Sequence, residues 1–280
     1  MLSRFRKPVD KFAPSLARLY RFLRERTSYR TSVQNARSLP TKYGFSVAGA
    51  PHMAQDGWED KEIELLLELM ESHETFLDIG ANVGFYSCLA ASRGKHTVAV
   101  EPSSRNLTFL YRNLWDNHFP NVEIFPLGLA ASCGLGRLYG DCSMSSFVPG
   151  WGQSKAKPRL VPLATLDTIA GGRFQNKRLL IKMDVEGFEF DVLSGASETL
   201  GLNPRPTWLV EIVLNNRTFP DLIPGGINPR FAETFELFWA HGYQCRMVDS
   251  ALTPVEKADV RKWVADASVD LPRDFLFSAA

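Results

Sequence analysis

Asp78, Gly80, Asn82 and Gly84 stand at alternate positions in the stretch FLDIGANVGFYS. An apolar run ends in an acid, turns on glycines and opens into an amphipathic run. That order predicts a strand turning sharply into a helix. Gly80 permits backbone angles closed to other residues, and Gly84 lets the following helix sit close to the strand. The helix N-terminus offers unpaired N–H groups to an anionic group, and Asp78 adds a carboxylate at the same edge. A dinucleotide fingerprint places a glycine where a pyrophosphate nears the backbone. Here that position is Asn82, so a pyrophosphate is not the expected guest. A ligand with a carboxylate, a ribose and a positive centre tolerates the side chain, and S-adenosylmethionine is such a ligand. Glu101, followed by Pro102, closes the next strand 21 residues after Gly80. A carboxylate there accepts both ribose hydroxyl protons. The competing reading is structural: Gly80 makes a turn and Glu101 caps a helix.

A second group lies in IKMDVEGFE. Lys182 and Asp184 are two apart on a strand and face the same way. Asp184 falls at the strand's carboxyl end, Glu186 in the loop, and Glu211 at the end of the next strand in WLVEIV. Three acids are expected to converge on one crevice. Methyl transfer to an alcohol needs in-line positioning, worth roughly 7–11 kcal/mol in favourable systems. It also needs proton removal, which a general base speeds by about 10²–10⁴-fold. Asp184 or Glu186 could be that base. Alternatively, two or three of the acids could hold Mg²⁺ and acidify a bound diol. A third reading gives Asp184 the cofactor's ammonium group, makes Lys182 its structural ion partner and lets Glu186 cap a helix. His52, Trp58, Ser145, Ser146, Trp151, Asn215 and Asn216 could face substrate, the two tryptophans by stacking on a sugar.

Alternating strands and helices must position these residues. Apolar runs at TFLDIG, TVAVEP, NVEIFPLGLA, RLLIKMDVEG and TWLVEIV predict five strands, and YQCRMVDS and DFLFSA two closing ones. Helical spacing predicts helices over EDKEIELLLELMESH, 83–93, 103–117, 190–200 and 229–240. This is an α/β pattern, a mostly parallel sheet with helices on both faces. An insert from Ser132 to Pro162 breaks the alternation, either as a lid or binding loop or as a hairpin pairing GRLYG with RLVPL.

Net charge is +1, unevenly spread. Residues 1–45 carry eleven Lys and Arg against two acids, a net +9, so the remainder carries −8. PSLARLYRFLRE reads as a basic amphipathic helix that either packs on its own domain or lies on a membrane surface. A stretch rich in Gly and Pro follows, so the chain divides into a basic helical extension, 1–45, and a body, 46–280. The four cysteines form no C-x-x-C pair, which argues against a zinc site and for a reducing, cytoplasmic setting. No run approaches the roughly 20 apolar residues of a membrane span.

FLDIGANVGFYS, VAVEPSSRNLTFLYRNL, LATLDTI and LLIKMDVEGFEFDVLSGA together resemble the FkbM family of S-adenosylmethionine-dependent methyltransferases, in order from about Thr75 to Glu211. The resemblance implies a class I methyltransferase fold, Rossmann-like, with seven strands and an antiparallel last strand. It implies O-methylation of a sugar, glycolipid or secondary-metabolite hydroxyl. It assigns Asp78, Gly80, Asn82 and Gly84 to the cofactor turn, Glu101 to the ribose, and Leu127 to Leu129 to the adenine. Nucleic-acid amino groups are not the expected acceptor: the strand ends D-V-E-G, not D-P-P-Y, and acids repel phosphates. Another acceptor (N-linked or RNA) and a catalytically silent cofactor-binding adaptor are the alternatives.

Overall fold

The computed structural model describes residues 33, 35–140, 144–151, 157–215, 223–266 and 271–279. Leu39–Ala280 is one compact unit and Met1–Ser38 another. The basic helix expected within residues 14–25 lies outside the described residues.

Short strands buried on both faces build the centre. Every residue of β3 (Thr75–Ile79) and of β9 (Leu179–Met183) is buried, as a parallel strand between two helical layers requires. β4 (His96–Val100) and β5 (Glu123–Phe125) extend the sheet on one side of β3. On the other side lie β9, β10 (Thr207–Glu211), β13 (Asp274–Ala279) and β11 (Tyr243–Met247). β13 enters last and runs antiparallel to both its neighbours. These are the seven expected strands. An eighth, the two-residue β12 (Pro254–Val255), pairs with β11 at the edge; proline is tolerated there because no further strand needs its N–H. The chain leaves β3 toward β4 and returns on the far side to β9. The crevice beyond the carboxyl ends of β3 and β9 is therefore the topological switch point, where such folds bind ligands.

One face of the sheet carries α1 (Asp60–Ser72), α2 (Phe85–Ser92) and α3 (Ser104–Asp116), packed on Phe76, Leu180, Leu209 and Leu276. In α1, Asp60 and Glu62 sit in the first turn, where the helix dipole favours acids, and Ile63, Leu66 and Met70 are buried. The other face carries α4 (Leu166–Ala170), α5 (Glu189–Ser194), α6 (Ser197–Leu200), α7 (Phe231–Ala240) and α8 (Lys257–Ala265), packed on Leu77, Ile181, Trp208, Phe275 and Phe277. The single helix expected over 190–200 is thus two. Its break holds Gly195, where a Cβ would overlap the Ala130 carbonyl oxygen.

Of the two alternatives for the insert, the strands of the hairpin form. β7 (Gly134–Leu138) pairs antiparallel with β8 (Arg159–Ala164), Leu138 opposite Arg159. β8 also pairs parallel with β6 (Gly128–Leu129), so this small sheet is fastened beside the exit from β5. The Gly- and Pro-rich stretch is packed against the body, not a free spacer. β1 (Leu39–Pro40) pairs with β2 (Ser46–Val47), and Asn113 and Asn117 of α3 hold the backbone of Ser46 and Ala48. Among the described residues no helix is long and apolar enough to cross a membrane.

Candidate active site

The turn after β3 is fixed by its neighbours. Gly80 and Ala81 donate their N–H groups to the Val100 carbonyl, at 2.9 and 3.0 Å. Gly80 has φ +85°, and a Cβ there would overlap the carbonyl oxygen of Asp184. Both the angle and the close approach require glycine. Asn82 has φ +52°, a left-handed conformation that asparagine tolerates better than most residues. Glu101 braces the turn: its Oε2 accepts from the Asn82 N–H at 2.8 Å and its Oε1 from the Ser103 N–H at 2.6 Å. The carboxylate is 4% exposed. Burial pushes it up to about 7 against the pull of these hydrogen bonds.

A cleft of about 550 Å³ opens here. Gly80, Asn82, Glu101, Pro102 and Leu129 line it from the first motif, with Val100 and Leu127; Asp184 and Glu186 line it from the second motif. Ser145 and Phe147 of the insert, Leu138 of β7, Asn106 of α3 and Phe188 complete the wall. These five were not singled out as cleft residues, apart from Ser145 as a possible substrate contact. The one available signal was Gly128 and Gly136, whose missing side chains make room for the Phe147 ring.

Three expected members sit elsewhere. Asp78 is 2% exposed and accepts from the Ser87 hydroxyl at 2.6 Å; it lies beneath the turn and does not line the cleft. Burial raises its carboxyl to about 6. Gly84 fits the close packing of α2, but against α3: a Cβ there would overlap Leu110 Cδ1. Glu211 does not line the cleft. Its Oε1 lies 3.8 Å from Arg273 Nη1, and burial, then Asp184, Asp274 and Glu186, raise its carboxyl.

Asp78, Asp184, Glu211 and Asp274 surround Lys182 electrostatically, and Glu59 adds to them. Lys182 is 3% exposed; its Nζ lies 3.8 Å from Asp184 Oδ2 and 4.8 Å from the Tyr86 ring centre. Burial alone would lower its pKa, but the carboxylates hold it above the usual lysine range. Of the three acids expected to converge on one crevice, with Mg²⁺ as one alternative, Asp184 and Glu186 line it and Glu211 does not. Among the described residues no group of three His, Cys, Asp or Glu is placed to hold a metal ion, because the acids turn to separate partners. Glu59 accepts from the Tyr86 hydroxyl, Glu211 faces Arg273, and Glu186 Oε2 accepts from Trp151 Nε1 at 2.9 Å.

Glu186 does not cap the helix after it. No side chain caps that helix; Glu189, its first residue, accepts from the Gly187 N–H ahead of it at 2.9 Å, and burial raises it to about 8. Burial raises Glu186 to about 7, helped by Asp184 and opposed by the Trp151 hydrogen bond. Trp151 is buried and offers no free face for a sugar; Trp58 is half-buried and packs against Phe85 and Tyr86. Asn216 lies outside the described residues.

The strand order, the reversed last strand and an acid-braced glycine turn at the switch point define a class I methyltransferase fold. The family described as the Methyltransferase FkbM domain matches residues 78–245, and the chain belongs to it. The chain is 30% identical over 148 residues to the hexuronic acid methyltransferase AglP of Haloferax volcanii, a match over 51% of this chain and 58% of that protein. The chain thus spans less than two thirds of that relative. A crystal structure of a methyltransferase FkbM from Methylobacillus flagellatus KT is similar at 16% identity and a TM-score of 0.44, over 92% of this chain and 60% of that one. The bifunctional kinase-methyltransferase WbdD is similar at 13% identity and a TM-score of 0.48, over 90% of this chain and 46% of that one.

Proposed function

We propose that the protein is an S-adenosylmethionine-dependent O-methyltransferase whose acceptor is a hydroxyl of a sugar, glycolipid or secondary metabolite. The observation that carries this is Glu101, a buried carboxylate on the cleft beside a glycine turn with no room for a side chain. When bound, S-adenosylmethionine supplies an electrophilic methyl group on sulfur. A carboxylate has about four lone-pair sites, so Glu101 keeps capacity for a ribose hydroxyl beyond the two backbone N–H groups and the Asn106 side chain that it already accepts from. Val100, Leu127 and Leu129 give the flat base an apolar wall. Asp184 accepts from the ammonium group. Glu186 takes the proton from the acceptor hydroxyl; a carboxyl held near 7 suits a base working at neutral pH. The relative named for a hexuronic acid supports a sugar acceptor, and acids on the cleft favour a hydroxyl over a phosphate group.

Calorimetry with S-adenosylhomocysteine tests the cofactor half; no uptake by folded protein sinks the proposal. A labelled-methyl screen over glycans, lipid-linked sugars and polyketides tests the acceptor half. With the acceptor found there, Glu186→Gln is expected to keep S-adenosylhomocysteine affinity and lose about 10²-fold or more in kcat. Wild-type turnover by that variant removes Glu186 from the chemistry.

A further inference from the structure

We infer that Trp151 is a positioning residue for Glu186: its indole N–H fixes the carboxylate, and the insert that carries it sets the acceptor side of the cleft. The inference rests on the reading of Glu186 as the base. The Trp151 side chain is 2% exposed, and Nε1 donates to Glu186 Oε2 at 2.9 Å. A buried indole N–H needs an acceptor, and here it is a carboxylate on the cleft. Trp151 also roofs the loop, since a Cβ at Gly187 would overlap its ring. Ser146 adds a second clamp: its hydroxyl donates to the Glu186 carbonyl at 2.7 Å and accepts from the Val148 N–H at 3.0 Å. Ser146 is itself bridged to Tyr139 by two backbone hydrogen bonds, 2.8 and 3.0 Å, which anchors it to the end of β7.

Glu186 has φ +53°. A residue with a side chain holds that conformation only where its surroundings over-determine it. The indole, the Ser146 hydroxyl and the packing on Gly187 supply that constraint. Oε2 accepts from Trp151, which fixes the carboxylate and still leaves it lone pairs for a proton donor. The charged groups around Glu186 are Asp184 on its own loop, Lys182 of β9, Glu211 of β10, Glu189 of α5 and Arg273 before β13. Trp151 is the neutral donor among them, so its removal changes no charge.

Trp151→Phe keeps a ring over Gly187 and deletes the N–H. Proteins labelled with ¹³C at glutamate Cδ and ¹⁵N at the indole test the assignment without an acceptor. The Glu186 signal is identified by its loss in Glu186→Gln, and the Trp151 cross-peak by its loss in Trp151→Phe. The Trp151 cross-peak is expected to titrate with the Glu186 midpoint and to be flat in Glu186→Gln. In Trp151→Phe the Glu186 midpoint is expected to rise by ~0.5–1 pH unit, a roughly 3–10-fold change in proton affinity, because a hydrogen bond to the ionised form is lost while burial stays. S-adenosylhomocysteine affinity and melting temperature are expected to stay near wild type. An indole signal indifferent to pH, or an unmoved midpoint with a lowered melting temperature, makes Trp151 a packing residue only and overturns the inference. Failure of the wild type to take up S-adenosylhomocysteine would instead sink the functional reading and leave the midpoint shift standing. Wild-type turnover by Glu186→Gln, on an acceptor from the screen, overturns the role for Trp151 along with the base it serves.

Discussion

Glu101 joins three parts of the site. Its two oxygens tie the turn after β3 to the start of α3 through the Asn82 and Ser103 N–H groups, and its carboxylate lines the cleft. Glu101→Gln preserves the shape but places an NH₂ against one of two N–H donors. It also removes one of the two acceptor oxygens. S-adenosylhomocysteine affinity in that variant is expected to fall by about 10-fold or more, the scale of one hydrogen bond to a charged group. In the wild type the same affinity is expected to rise with pH through about 7, because ribose hydroxyls donate to the ionised carboxylate. Calorimetry from pH 5.5 to 8 reads both. Unchanged binding by Glu101→Gln would show that the carboxylate only braces the backbone. This residue was legible in the sequence, as were Gly80 and Asn82, since an apolar run ending in D-I-G-A-N can place them only at a strand end. Asp78 was expected to add its carboxylate at the same edge, but it lies beneath the turn. The alternation of the strand puts the side chain on the α2 face, where Ser87 takes it.

At the scale of elements, α3 does more than cover the sheet. Asn113 accepts from the Ala48 N–H at 2.8 Å and donates to the Ala48 carbonyl at 3.0 Å; Asn117 exchanges the same pair with Ser46, 2.7 Å each. Two side-chain amides, one helical turn apart, thus act as the strand partner of residues 46–48. Asn113 also donates to the Val83 carbonyl at 2.8 Å, joining that segment to the glycine turn after β3. Asn113→Ala leaves buried groups unpaired and is expected to cost ~2–4 kcal/mol; Asn117→Ala, at the half-buried helix end, is expected to cost ~1 kcal/mol or less. Urea midpoints check the order, and equal losses would refute the pairing. None of this was visible in the sequence. A buried asparagine on a helix looks like any polar residue of an amphipathic run, and a Gly- and Pro-rich stretch looks like a linker until its partner is known. Trp151 was noticed as a possible sugar-stacking residue, but its bond to Glu186 was hidden for a related reason. The insert has no periodicity of its own, and its contacts are made 35 residues away in sequence. The central strands were legible because burial on both faces leaves an unbroken apolar signature. β12 was not, because a two-residue edge strand has none.

The molecule as a whole buries an excess of carboxyl groups. Burial raises Asp78 to about 6, Glu101, Glu186 and Asp274 to about 7, and Glu189 to about 8; Glu59 and Glu211 are raised as well. In the unfolded chain these groups ionise near 4. Between about pH 4.5 and 8 the folded state therefore binds more protons than the unfolded state. Stability must then fall as pH rises across that window. Lowered groups work the other way: at acid pH Asp60 and Asp249, held down by hydrogen bonds from Lys42 and Thr253, lose their partners on protonation, and just below neutrality His73, lowered by burial, opposes the trend as one group against the many raised acids. The melting temperature is thus expected to peak near pH 5 and to drop by several degrees toward pH 8.5, since even part of the ~1.4 kcal/mol per shifted unit is a large share of a typical ΔG of unfolding. Bound S-adenosylhomocysteine favours ionised Glu101, so its stabilising effect is expected to be larger at pH 8 than at pH 5.5. Scanning calorimetry with and without the ligand measures both slopes. A melting temperature that climbs from pH 5 to 8 would mean that the acids around Lys182 and the cleft are ionised and solvated in the fold. The cleft would then be a wet, charged crevice, unable to hold Glu186 near neutrality.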